Sequence, residues 1–427
     1  MPGGISVEPR RGSRRCGAPC RAPTLTGVTP DPRIAAPADR PPRDGAPARP
    51  VGVFVGLATL DLVQRVERIP GADAKATADW QELSAGGPAL NAAVTFAALG
   101  GRAVLVSRVG DSPLGRLVAD DLRRHGVRLV DLAAAGFTPP VSAVAVEAAT
   151  GDRQVVSTDA RGSAAAGPRE RSGLCGLLRS AMTDLGPGGA RPENREEVRG
   201  RVAAGAGAEG LATPVPQVNV VELDGHHPDL AHAVLDVLDD HDELPDHDEL
   251  HDHDEPNDHD VLDDPDGASA RLVVLDAGRW KPQLRAILPR CTDVVCSAEF
   301  RLGDAPGEGA LPADPREALL ADLLARGARV AASTAGPQPI LLRAVAEPTV
   351  TRLPVPVVDV IDTLGAGDAL HGAYAWARAQ GAAPAHALRL AATVASRSCE
   401  QRGTRAWLAD LADLDLPSLH AAERTGG

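Results

Sequence analysis

The chain has 427 residues, enough for one large domain or two ordinary ones. Apolar residues make up 43% but aromatics only 2%, so a core must be built from Ala, Val and Leu, and no apolar run approaches the ~18–20 residues of a membrane span. The formal charge of −14 is local: residues 239–266 hold 15 Asp or Glu and neither Lys nor Arg, which leaves the remainder near neutral and offers no basic surface to nucleic acid. The six Cys, with no CxxC pair among them, read as free thiols of a reduced, cytoplasmic chain.

In chain order, residues 1–50 come first, with 11 Pro and nine Arg and little to bury. Such a segment is expected to stay a disordered tail, without the apolar stretch of a secretory signal or the amphipathic pattern of a transit peptide. Order is expected from Val51. Val51–Gly56 reads as a buried strand and Asp61–Ile69 as a half-exposed one. Gly86-Gly87 opens an Ala-rich helix that Gly100-Gly101 stops. Ala103–Ser107 is a further strand, and Leu114–His125 carries one apolar helical face. Val141–Val146 and Arg153–Ser157 flank Thr150-Gly151-Asp152, a hairpin signature.

Residues 161–214 are rich in Gly, Ala, Pro and Arg with weak periodicity and read as a low-complexity insertion. A strand (Val218–Leu223) and a helix (Pro228–Leu238) follow, and then residues 239–266, a solvated acidic insertion. Its five His could bind divalent metal weakly, though their spacing defines no site. Strands at Arg271–Asp276, Asp293–Cys296, Arg329–Ser333 and Ile340–Val345, with helices at Arg316–Arg326, Gly367–Gln380 and Pro384–Cys399, complete an α/β pattern. The domain is expected to span 51–410, with 411–427 a C-terminal tail.

Chemistry concentrates at Asp362-Thr363-Leu364-Gly365-Ala366-Gly367-Asp368, between a β-like run (Val355–Ile361) and a helix. Gly365 and Gly367 allow a tight turn whose N–H groups, with the helix N-terminus, form an anion seat. Asp368 stands at that seat. A carboxylate there is electrostatically wasteful unless it takes a proton from a group attacking the anion, which is the arrangement of phosphoryl transfer. An ordinary Gly-rich turn with a capping Asp is the competing reading.

Taken with Gly86-Gly87-Pro88-Ala89-Leu90-Asn91 and its continuation to Gly100, then Val109-Gly110-Asp111 and Gly115, the DTLGAGD motif resembles the paired signatures of the ribokinase-like (PfkB) carbohydrate kinases. The resemblance covers Val51–Ala160 and Gln217–Leu408. It implies an α/β fold with a ribokinase-like, mostly parallel central sheet flanked by helices, and a small β-sheet lid at 61–84 and 141–158. It further implies ATP and Mg2+, with a monovalent cation and a homodimer through the lid as options, and a small sugar as substrate, with no nucleic-acid or membrane partner. Asp368 matches the base, with Gly365, Ala366 and Gly367 as the anion hole. Asp61, Gly86, Gly87 and Asn91 match the sugar side, where a carboxylate and an amide grip hydroxyls directionally.

Thr334 and Gly336 resemble the nucleotide-side T-x-G, with Pro339 near the place of a second Gly, and Thr363 joins them in the cofactor set. Many members have Asn-x-x-Glu where this chain has Ser297-Ala298-Glu299-Phe300, which leaves Glu299 as the metal candidate. A ketohexokinase-like branch diverges similarly there, and Ser396–Gly403 is similar to the same branch near its adenine pocket. A nucleoside kinase of the family and a catalytically silent sugar- or nucleotide-binding regulator stay open as alternatives. His226-His227 at a strand end either reaches substrate or caps a loop, and His371 either tunes the base or packs its helix. Trp280-Lys281 reads as structural.

Overall fold

The computed structural model describes residues 49–158, 174–178, 180–181, 217–242, 271–303 and 314–413. Residues 1–48 of the tail expected over 1–50, and most of the segments 161–214, 239–266 and 411–427, lie outside them.

Nine strands form the central sheet: β1 (Val51–Val55), β4 (Arg102–Ser107), β5 (Arg128–Asp131), β8 (Val220–Leu223), β9 (Leu272–Ala277), β10 (Asp293–Ser297), β11 (Val330–Ala335), β12 (Gln338–Ala344) and β13 (Thr351–Leu353). Their order is β13-β12-β11-β10-β9-β8-β1-β4-β5, parallel from β5 to β11, with β12 and β13 antiparallel at one edge. Val, Ala and Leu on both faces suit the parallel strands to burial under two helix layers. Phe54, Leu105 and Val295 pack on one face, and Val53, Val106 and Val294 on the other.

On the first face lie α1 (Pro88–Ala98), α2 (Pro113–Arg124), α6 (Ala366–Arg378) and α7 (Pro384–Ser398). On the second lie α3 (Pro228–Asp242), the short α4 (Leu284–Ile287) and α5 (Pro315–Ala325). Leu174 and Leu178, inside the segment read as a low-complexity insertion, are helical and buried in this second core. Among the described residues no helix is long and apolar enough to cross a membrane.

Four further strands make a separate sheet in the order β3-β2-β6-β7: β2 (Thr59–Val66), β3 (Ala78–Gly86), β6 (Val141–Glu147) and β7 (Arg153–Ser157). Strand β2 is antiparallel to β3 and parallel to β6, so Asp61 lies between Ser84 and Ser142.

Two expectations are corrected. The β-like run at Val355–Ile361 is not a strand; Val357, Val360 and Ile361 are exposed. Pro354 and Pro356 supply no N–H to a ladder, so pairing stops at β13 and the amides of Ile361 and Asp362 bond to Cys399 O instead. The other is the strand expected at Asp61–Ile69. It starts earlier, at Thr59, and ends earlier, at Val66, while from Asp61 onward buried and half-buried residues alternate as expected.

Candidate active site

The strand order reverses between β1 and β8, and open α/β sheets bind ligands outside the carboxyl ends of the strands at such a point. Residues from both sequence motifs converge there. Helix α1 starts after Gly87, whose φ of 101° and whose approach to Leu57 O (2.4 Å from a built Cβ) exclude any side chain. Helix α6 starts after Gly365, left-handed at φ 74°. The two helices lie side by side with their N-terminal ends together, a Cβ on Gly372 meeting Ala92 O at 2.3 Å. In consequence Asn91 Nδ2 donates to Asp368 Oδ2 at 2.7 Å.

The first amides of a helix lack intrahelical acceptors. Of these in α6, Ala366 N–H reaches Thr363 O at 3.3 Å, while a Cβ on Gly367 would face open space. Asp362 braces the turn by accepting from Leu364 N at 2.9 Å and Gly403 N at 3.0 Å, and Arg153 of β7 donates to Thr363 Oγ1 at 3.4 Å.

Burial pushes the Asp368 carboxyl above the usual range, opposed by the Asn91 hydrogen bond and the His371 charge. Both ring nitrogens of His371 face carbonyl oxygens, Gly367 O at 2.8 Å and Val295 O at 3.1 Å, and Nε2 lies 3.5 Å from Asp276 Oδ1. His371 thus packs its helix onto the sheet beside Asp368. Asp61 is also raised by burial, against hydrogen bonds from Thr59 and Ser142. Thr59 Oγ1 donates to it at 2.7 Å, and a Cβ on Gly86 would stand 2.0 Å from its Oδ2.

Thr334, next to last in β11, lies beside Ser297, and Gly336 turns the chain at φ 54° into β12. Both therefore stand at the carboxyl end of the sheet, on the α6 side of the strand-order reversal. Glu299 is exposed in the turn after β10, whereas Phe300 is fully buried edge-on against Trp280 at 6.0 Å. The fourth position of that tetrapeptide thus serves the core. Among the described residues no group of three or more His, Cys, Asp or Glu is placed to hold a metal.

Several residues not singled out from sequence belong to the site. Asp224, at the end of β8, accepts from Leu57 N at 2.7 Å, Ala89 N at 3.3 Å and His226 N at 2.8 Å, tying β1, α1 and its own turn together. Burial alone would raise its pKa, but His226 and Lys281 hold it below the usual range. His226 thus caps this loop, and His227 packs on Arg108 at 3.2 Å, pushed down to about 4 chiefly by burial. Asp276 is pushed up to about 6, first by burial, and Glu222 is raised further by full burial among Asp276, Asp224 and Asp368. Among the described residues neither Glu222 carboxylate oxygen has a hydrogen-bond partner. Arg405, two residues beyond Ser396–Gly403, donates to Asn91 Oδ1 at 2.9 Å. Position at a strand end was the only signal for Asp224 and Asp276.

The model of the pfkB family carbohydrate kinases matches residues 52–171 and 266–410. The chain belongs to this family. It is therefore a carbohydrate kinase, and the family implies ATP binding. No curated protein matches the chain. Solved structures share its fold at identities too low to carry more. Ribokinase from Giardia lamblia is 16% identical at TM-score 0.58, over 86% of this chain and 100% of that one. Arabidopsis thaliana ribokinase complexed with ribose and ATP is 19% identical at TM-score 0.53, over 83% and 94%. Phosphofructokinase-2 from Escherichia coli in complex with potassium is 16% identical at TM-score 0.55, over 84% and 94%. The ribokinase-like fold expected from the two motifs is the one present.

Proposed function

We propose that this pfkB-family kinase transfers the γ-phosphoryl group of ATP to a hydroxyl of a small sugar, in the manner of the ketohexokinase-like branch, with Asp368 as general base. The observation that carries the reading is the 2.7 Å contact between Asn91 and Asp368, which brings the double-glycine and GAGD motifs to one point. Asp61, buried in β2, and Asn91 grip sugar hydroxyls; Gly86 leaves room for the Asp61 carboxylate, and Gly87 lets the start of α1 approach the Leu57 carbonyl on the sugar side. Asp368 takes the proton of the attacking hydroxyl as its oxygen bonds to the γ-phosphorus and the bond to the β-phosphate oxygen breaks, releasing ADP. The α6 N-terminus at Gly365–Gly367 seats the transferred phosphoryl group. Thr334, Gly336 and Thr363 serve the nucleotide.

Mg2+ is usually held by one or two carboxylates together with substrate phosphates, so it does not require a three-ligand protein cluster. Glu299 is the residue we assign to it, and the ion when bound neutralises phosphate charge. The β2–β3–β6–β7 sheet acts as the lid over the sugar, and the enzyme works in the cytoplasm.

Single-turnover phosphorylation over a panel of ketoses, aldoses and nucleosides, with wild type and Asp368→Asn, tests the reading. The variant should lose about two to four orders of magnitude in the chemical step with ATP binding kept. Turnover within a few-fold of wild type would remove Asp368 from the mechanism, and a preference for nucleosides would overturn the sugar assignment.

A further inference from the structure

Asn91 is held by a side chain from the far end of the chain. Arg405 Nη1 donates to Asn91 Oδ1 at 2.9 Å, to Thr404 O at 3.1 Å and to Thr404 Oγ1 at 3.1 Å. Its Nη2 donates to Ala85 O at 3.0 Å, and Nε and Nη2 each reach Asp121 Oδ2 at 3.3 Å. Both ends of the Arg405–Asp121 pair are about nine-tenths buried, with side-chain exposures of 11% and 10%. Asp121 belongs to α2, Ala85 to β3 and Asn91 to α1, so one guanidinium joins three elements to the segment after α7.

The chemistry of the pair fixes the amide's direction. Guanidinium carries donors only, and an amide has one acceptor end and one donor end. With Oδ1 facing Arg405, Nδ2 must face Asp368, where it donates to Oδ2. Turned over, the amide would set its donor against a cation and its oxygen against a carboxylate, unfavourable at both ends. Thr404 closes the space behind, its Cγ2 only 2.9 Å from where a Cβ on Gly365 would stand.

We propose that Arg405, anchored by Asp121, is a positioning residue that locks the Asn91 amide so that it always donates to Asp368, keeping that carboxylate ionised and aimed. The proposal rests on the reading of Asp368 as the base. The groups facing Asp368 are Asn91 from α1, His371 on its own helix, Asp224 after β8 and Arg153 from β7, with Asp276, Glu222 and Asp61 coupled to it. Of these, Asn91 supplies the hydrogen bond that opposes the upward push of burial.

The test is the pH dependence of kcat in Arg405→Met, Arg405→Lys, Asp121→Asn and Asn91→Ala, with the double variant Arg405→Met/Asn91→Ala and with Asp368→Asn as reference. Arg405→Met should move the acid limb upward by about one to two pH units, the worth of one hydrogen bond to a carboxylate, and so lower kcat on that limb by about tenfold to a hundredfold. KM for ATP should change little. Arg405→Lys, which keeps a donor for Asn91 Oδ1, should recover part of the shift, and Asp121→Asn should show a smaller one.

In the Asn91→Ala background, Arg405→Met should shift the limb no further. A merely structural Arg405 predicts lost stability with the pH limb unmoved, or equal shifts with and without Asn91, and either result overturns the proposal. If Arg405→Met fails to fold, Asp121→Asn and Arg405→Lys decide the matter by the same limb. Near-normal turnover of Asp368→Asn would instead refute the base assignment. Loss of activity in that variant with an unmoved limb in the Arg405 series refutes the positioning role alone.

Discussion

Alanine at Gly365 and alanine at Gly367 should have different consequences, although both sit in one motif two residues apart. Gly365 is left-handed at φ 74°, and a non-glycine residue there costs about 1–2 kcal/mol. Its methyl group would also stand 2.9 Å from Thr404 Cγ2, and Thr404 is buried at 6% exposure, so the neighbour cannot swing away freely. Such crowding adds about 1 kcal/mol or more. Gly365→Ala should therefore lose about 2–3 kcal/mol, a Tm fall of roughly 4–8 °C.

Gly367 lies in the first turn of α6 without a positive φ, and a Cβ there meets nothing within 4 Å. Alanine in a helix is favoured over glycine by up to about 1 kcal/mol, so Gly367→Ala should match or exceed wild-type stability. The open space beside it is where the phosphoryl group is proposed to sit, so the added methyl should cut kcat at least about tenfold by displacing that group from its donors. Thermal unfolding followed by circular dichroism and steady-state kinetics with a competent sugar read both effects. Equal destabilisation by the two variants would refute the account of the turn. Wild-type turnover in Gly367→Ala would show that the space is not the phosphoryl seat.

Two further expectations follow from the buried carboxylates. Gly86→Ala would place a Cβ 2.0 Å from Asp61 Oδ2 and push the carboxylate aside, so KM for the sugar should rise about tenfold to a hundredfold with KM for ATP unchanged, the cost of one charge-assisted hydrogen bond; equal weakening of both ligands would make Asp61 structural. Glu222 has its folded pKa raised above the unfolded value by burial, so folding takes up a proton between the two values and stability falls as pH rises through that interval. Glu222→Gln removes this titration, and its urea midpoint should gain on wild type as pH increases, whereas parallel pH profiles would refute the buried-acid reading.

Glycine pairs, Ala-rich periodicity and alternating apolar strands are local signals, and they fixed α1, α6, most of the sheet and both signature motifs before any contact was known. The glycines on either side of Ala366 also marked Asp368, whereas Asn91 and Asp61 were reached only through the resemblance to the kinase family, Asp61 with no glycine in its own strand. Other features needed the chain folded. The run at Val355–Ile361 reads as a strand by composition, yet among the described residues no strand pairs with it, and Pro354 and Pro356 deny the ladder.

The Asn91–Asp368 contact spans 277 residues of sequence and the Arg405–Asn91 contact 314, distances over which no periodicity speaks. Asp121 reads as one more polar residue of an amphipathic helix, and only the approach of Arg405 gives it a partner inside the site. Glu222 and Asp276 look like ordinary strand acids, and their raised pKa values come from the helix layer that closes over them. Sequence sets which backbone a segment prefers, but burial and long-range pairing set the charge and direction of a side chain, and those belong to the tertiary structure alone.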